Sequence, residues 1–98
     1  MTGIVKYEMM IVLTEKFDDS ELKTWSLNYA KKLQNLSASK ISVISRGKQD
    51  LEYLIDNQRR GSFIQVNFSS IPQYLDKFTY NLKLDSNVLR FLVLNEQN

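Results

Sequence analysis

The stretch from Ile41 to Phe68, ISVISRGKQDLEYLIDNQRRGSFIQVNF, sets how this chain folds. Its first part carries apolar residues at Ile41, Val43, Leu51, Tyr53 and Ile55, all odd positions. Strand side chains alternate between faces with a period of two. The spacing therefore predicts one long strand with these five residues lining one face. Gly47 interrupts the run between Arg46 and Lys48. A second alternation follows at Ile64, Val66 and Phe68, and the polar segment from Asp56 to Gly61 reads as the hairpin turn between them. Basic residues gather at the kink and tip of this hairpin, as Arg46, Lys48, Arg59 and Arg60, and make a surface suited to something anionic.

The flanking segments complete the fold. Residues Ile4 to Leu13 form an almost unbroken apolar run without Gly or Pro, the pattern of a buried central strand. Asp18 and Glu21 then have the spacing of a capping box, with Asp in place of the usual Ser or Thr. Beyond them Leu22, Trp25, Tyr29, Leu33 and Leu36 follow at helical intervals as a single apolar stripe, with Lys23, Lys31 and Lys32 off it. Trp25 lies within the stripe and reads as a core residue. After the hairpin, Ser69-Ser70-Ile71-Pro72 predicts a second helix with a serine cap ahead of Pro72, which needs no N–H in a first helical turn. Tyr74, Leu75, Phe78 and Leu82 form its apolar face, and Val88 to Leu94 reads as a last strand. No linker, repeat or low-complexity segment divides residues 1–98, so one domain is expected, with an ordered core over about 4–95.

The order β-α-β-β-α-β predicts an α+β fold, a ferredoxin-like sandwich. Its four-stranded antiparallel sheet has the first and third strands at the centre and both helices on one face. This topology places Arg59 and Arg60 at the end of the sheet where the first strand finishes. Arg90 falls at that same end and Lys6 at the opposite one. With Tyr7, Met9, Ile11, Leu89, Phe91 and Val93 toward the helices, Met10, Val12, Leu92 and Leu94 are left on the open face. An exposed apolar patch of that kind marks a protein partner.

Composition narrows the function. The chain has no cysteine and no histidine, which removes disulfides, thiolate nucleophiles, zinc–thiolate sites and the commonest general base. Its three glycines, at 3, 47 and 61, are scattered and make no phosphate-cradling loop. No enzyme, metal or cofactor is expected. No apolar run is long enough to span a bilayer, and the start MTGIVKYEMM lacks the marks of a secretory signal. The formal net charge of +2 is compatible with a nucleic-acid partner.

Several short features together resemble a known family. Tyr7-Glu8 follows the basic residue Lys6. Arg46-Gly47-Lys48 is followed by Leu51, Tyr53 and Ile55, then by Gly61 and the aromatic Phe63. The chain closes with Asp85-Ser86-Asn87-Val88-Leu89-Arg90-Phe91-Leu92-Val93. In this order and spacing, over residues 5–95, the features are similar to small-subunit ribosomal protein six of the bacterial type. The Tyr-Glu-Met-Met start and the Arg-Gly-Lys kink look most like cyanobacterial and plastid members. The resemblance implies a non-catalytic protein of the small-subunit platform. Such a protein binds the central domain of small-subunit ribosomal RNA as a heterodimer with ribosomal protein eighteen. It implies RNA-binding roles for Lys6, Arg46, Lys48 and Arg90, and for Arg59 and Arg60 in the hairpin. It also implies a ribosomal location, with a plastid preferred and a bacterial cytoplasm as the alternative. The chain departs from the family pattern at Gln49, Glu52, Leu54 and Phe63.

Two other classes share the element order. An RNA-recognition motif needs aromatic residues at two positions where this chain has Ser62 and Ile64, so recognition by stacking on single strands is not expected. A small-molecule regulatory module would need a clustered polar loop, and none is visible. Neither a membrane nor a small-molecule substrate is expected as a partner.

Overall fold

A computed structural model describes residues 3–96. The elements are β1 (Val5–Thr14), α1 (Asp19–Asn35), β2 (Ser39–Ile55), β3 (Gln58–Ser70), a short 3₁₀ turn (Pro72–Tyr74), α2 (Leu75–Leu84) and β4 (Val88–Glu96). They build one four-stranded sheet in the order β2-β3-β1-β4, with every pairing antiparallel. This is the ferredoxin-like arrangement expected, with β1 and β3 in the middle.

The core lies between the sheet and the two helices. β1 contributes Tyr7, Met9, Ile11 and Leu13, and β3 contributes Ile64, Val66 and Phe68. The expected stripe of α1 meets them, with Tyr29 and Leu33 buried and Leu22, Trp25 and Leu36 packed alongside. From α2 come Phe78 and Leu82, flanked by Tyr74 and Leu75. Aromatic rings join the layers. Phe68 meets Phe78 edge-on at 5.1 Å between centroids, and Trp25 stacks on Tyr29 at 5.3 Å. Two polar tethers add direction. The Tyr29 hydroxyl donates to the Phe78 carbonyl at 3.0 Å, and the Trp25 indole N–H donates to Asp85 Oδ2 at 2.7 Å. Burial pushes the Tyr29 phenol pKa up from its ordinary value, because the phenolate would lose its hydration there.

The capping box of α1 is formed. Asp18 Oδ1 accepts from the Glu21 N–H at 2.8 Å, and Glu21 Oε1 accepts from the Asp18 N–H at 3.0 Å. The second helix starts differently from the expectation. Ser69 and Ser70 finish β3, Ile71 is the N-cap, and no side chain caps it. The Ser70 hydroxyl donates to the Ile71 carbonyl instead. Pro72 enters through a 3₁₀ turn, so a serine cap is not needed to begin the helix.

The expectation for the Ile41–Ile55 strand fails in one respect. β2 is a single long strand, but its odd positions do not share a face. Ile41 and Val43 pack against the helix-side core. Ser45 pairs with Ile64 and Gly47 pairs with Phe63, so Arg46 is an extra residue with no partner of its own. Such a bulge shifts the alternation by one. Gly47 and Gln49 therefore stand on the open face, opposite Phe63 and Gly61, and the register shifts again between Asp50 and Ile55. Gly47 has φ +81°, a conformation that favours glycine, and this is why the run needs glycine here.

A bulge also alters β4. Val12 pairs with Arg90 but Leu13 pairs with Val88, leaving Leu89 as the extra residue. Val88 therefore packs with the core in place of Leu89. Leu89 Cδ1 instead lies 3.6 Å from the point a Cβ on Gly61 would occupy, beside Val12 on the open side. The hairpin turn is also tighter than the Asp56–Gly61 segment suggested. Only Asp56 and Asn57 lie outside the strands, with φ of 49° and 62°. Both angles are positive, as a two-residue turn matched to strand twist requires, and Asp and Asn tolerate them. Arg59 and Arg60 are thus residues of β3 and not of the tip.

Candidate partner-binding face

The open face divides into a polar half and an apolar half. Register puts Ser42, Ile44, Gln65 and Asn67 on the β2–β3 half, and Met10, Val12, Leu92 and Leu94 on the β1–β4 half. The polar half is tied together by side chains. Arg46 lays its guanidinium on Gln65, with Nε donating to Oε1 at 3.0 Å and a second nitrogen donating to the same oxygen. Gln65 donates to Asn67 at 3.2 Å, and Asn67 reaches the Ser42 hydroxyl at 3.4 Å. Charge on Arg46 is thereby held over the sheet while the residue stays exposed. Alternation from Ser42 and Ile44 already puts Arg46 on this face, and the bulge acts on the residues that follow it.

The apolar half is uneven. Leu92 and Leu94 are 54% and 49% exposed, Met10 is half-buried, and Val12 is buried at 2%. Val12 stands in a row with Phe63 and Arg90, and its Cγ1 lies 2.5 Å from where a Cβ on Gly61 would be. It fills the space that the glycine leaves open. Met10, Leu92 and Leu94 are therefore the part of this patch that a partner can touch. Ile44, 38% exposed, extends apolar surface onto the edge strand β2.

The six basic positions fall into separate groups. Arg90 lies opposite Val12 and makes a long contact of 3.4 Å from Nη1 to the Tyr53 hydroxyl. Alternation along β3 places Arg59 on the same face, near the end of β1. Lys6 is on this face as well, but six residues away along β1 from Val12, or about 20 Å. Lys48 and Arg60 point to the other side. Lys48 pairs with Ser62 and Arg60 with Asp50, and Ser62 is opposite the core residue Leu13. Arg60 Nε also forms an exposed ion pair with Asp50 at 3.3 Å, and a nitrogen of its guanidinium lies 3.4 Å from the Lys48 carbonyl. The structure brings Arg46, Arg59 and Arg90 to one face and sets Lys48 and Arg60 behind it.

Two residues that the sequence reading gave no role in the site shape this end of the sheet. Gln58 Oε1 accepts from the Thr14 hydroxyl at 2.8 Å and from the Glu15 N–H at 2.9 Å, tying the root of the hairpin to the end of β1. Tyr53, 61% exposed, carries its hydroxyl toward Arg90. A polar residue directly after a two-residue turn was the available signal for Gln58. Nothing in the sequence signals the Tyr53–Arg90 contact, because it spans the sheet. No cluster of acidic residues able to hold a metal ion occurs among the described residues. No helix among them is long and apolar enough to cross a membrane.

Comparison with known proteins agrees with this architecture. The family model for ribosomal protein S6 matches residues 6–95. The small ribosomal subunit protein bS6c of Trieres chinensis is 69% identical over 96 residues, covering 98% of this chain and 100% of that protein. The bS6c protein of Phaeodactylum tricornutum is 61% identical over 92 residues, 94% of each chain. The bS6 protein of the cyanobacterium Picosynechococcus is 32% identical over 88 residues, 90% of this chain and 76% of that one. In fold, the crystal structure of 30S ribosomal protein S6 from Thermotoga maritima matches with a TM-score of 0.88, over 96% of this chain and 89% of that chain, at 17% identity. The chain therefore belongs to the ribosomal protein S6 family, as a plastid-type member and a structural constituent of the small ribosomal subunit.

Proposed function

We propose that this protein binds the central domain of small-subunit ribosomal RNA together with ribosomal protein eighteen, in the ribosome of a plastid. The observation that carries the reading is the division of the open face. Exposed Leu92 and Leu94 stand beside Arg90, while Arg46 is fixed over the neighbouring polar strands. An apolar patch rimmed by oriented cations fits a protein neighbour and a phosphate backbone at once. Met10, Leu92 and Leu94 take the protein partner, with Val12 supporting them from below. Arg46, Arg59 and Arg90 take phosphates on this face. Lys48 and Arg60 reach RNA only where it wraps past the edge strand, and Lys6 marks a separate contact at the far end.

Few cations are fixed on the face, so the isolated chain should bind RNA weakly and the partner should add affinity. The test is RNA binding measured with and without ribosomal protein eighteen, over a series of salt concentrations. Removing one phosphate-binding cation should lower the salt slope by roughly one unit. Arg46→Ala and Arg90→Ala should each do so. Full-affinity binding by the chain alone, with no gain from the partner, would refute the shared-partner reading.

A further inference from the structure

The hairpin carries a second irregularity beyond the bulge at Arg46. Asp50 pairs with Arg60 and Ile55 with Gln58, so Leu51, Glu52, Tyr53 and Leu54 all stand against Arg59 alone. A bulge this wide pushes its residues out of the ladder and re-aims their side chains. A hollow of about 490 Å³ opens beside it, with Glu52, Tyr53, Leu54 and Arg59 in its wall. Sites that hold small organic groups span roughly 300–1,000 Å³, so the hollow is large enough for a single nucleotide. Tyr53 and Leu54 are 61% and 56% exposed, so neither serves the core. Among the described residues no aromatic ring or cation covers the Tyr53 ring, and its hydroxyl lies 3.4 Å from Arg90 Nη1. The cations nearby differ in freedom. Arg60 is paired with Asp50 at 3.3 Å, whereas Arg59 and Arg90 have no acidic partner among the described residues.

We infer that this hollow takes one unpaired nucleotide of the bound RNA, with its base against the face of Tyr53 and its phosphates on Arg59 and Arg90. The inference rests on the RNA-binding reading above and adds to it a contact that is not ionic. A free aromatic face beside two unpaired arginines matches a base with a phosphate on either side, and every base offers a π-face to such a ring. Glu52 in the same wall repels a phosphate, so the hollow itself suits an uncharged base and leaves the phosphates to the arginines. The β3 positions that would stack bases in an RNA-recognition motif hold Ser62 and Ile64. The ring comes instead from the bulge of β2. This site is separate from the apolar patch. Leu92 and Leu94 pair with Met10 and Glu8, past Arg90 and away from the hairpin.

The test uses the full chain with ribosomal protein eighteen and a central-domain RNA fragment, over a series of salt concentrations. Tyr53→Leu keeps an apolar side chain but removes the ring. It should weaken RNA binding roughly tenfold, as the loss of one stacked base does, and leave the salt slope unchanged because no phosphate contact is lost. Tyr53→Phe keeps the ring and should bind RNA as the parent does. Tyr53 is exposed, so both variants keep the fold, and both should bind ribosomal protein eighteen without RNA as the parent does. Parent-like RNA binding by Tyr53→Leu would overturn the inference, while a lowered slope in Arg90→Ala would leave the ionic reading standing. An equal loss in Tyr53→Phe would assign the effect to the hydroxyl and its hold on Arg90. Weaker binding of Tyr53→Leu to ribosomal protein eighteen would assign the ring to the protein interface. Either result would overturn the inference.

Discussion

Replacing Gly61 by alanine should disturb the sheet far more than its single methyl suggests. A Cβ built on Gly61 stands 2.5 Å from Val12 Cγ1 and 3.2 Å from the Leu13 carbonyl oxygen. Non-bonded carbons rest at about 3.5–4.0 Å, so Val12 would have to retreat by about 1 Å. It has nowhere to go. Val12 is β-branched and stiff at χ1, only 2% exposed, and set in a row between Phe63 and Arg90. The second contact is with backbone of a central strand, which yields little. Overpacking of this kind costs about 1–3 kcal/mol. For a domain of this size each kcal/mol lowers Tm by about 4–8 °C. Urea unfolding followed through the single tryptophan, Trp25, measures it directly. The diagnostic is the pair. Val12→Ala opens the space, so Gly61→Ala should cost at least about 1 kcal/mol less in that background. A Gly61→Ala chain within about 0.5 kcal/mol of the parent, or strictly additive effects in the cycle, would refute the steric account.

Other expectations follow from buried polar groups. Ser62 Oγ is buried with no hydrogen-bond partner among the described residues, so Ser62→Ala should leave stability unchanged or raise it by about 1 kcal/mol in the same assay; a clear loss would reveal a partner for the hydroxyl. Asp85 accepts from both the Trp25 indole and the Asn87 N–H, so Asp85→Ala should cost about 1–3 kcal/mol and shift the Trp25 emission. An unchanged spectrum would mean the indole contact does not persist in solution. Tyr29 gives a pH dependence. Its folded pKa is raised, so the unfolded chain loses the phenolic proton first as pH rises, and the folded state is increasingly disfavoured above about pH 10. Tyr29→Phe should therefore be less stable near neutral pH but fall less steeply in alkali. Equal slopes in the two chains would count against a buried phenol.

Local chemistry explains why so much of the architecture is readable in advance. The stripe Leu22, Trp25, Tyr29, Leu33, Leu36 and the capping pair Asp18 and Glu21 act within a few residues of one another, and each lies where its spacing puts it. The parity of β1, with Tyr7, Met9 and Ile11 inward, agrees for the same reason. The candidate site is less legible. The basic positions are visible as residues, but their division into two sides is not. Arg46 and Arg60 lie on opposite faces of one hairpin, and only the pairing of β2 with β3 shows it.

Element order, helix faces and central strands are all written in the linear chain, because burial of apolar surface acts on periodicities that one segment carries alone. Which way the hairpin and the last strand present their side chains is settled only when the strands pair. An extra residue such as Arg46 or Leu89 exists only relative to the neighbouring strand. Whether it inverts the alternation depends on hydrogen-bond register between segments distant in the chain, a quantity no single segment contains.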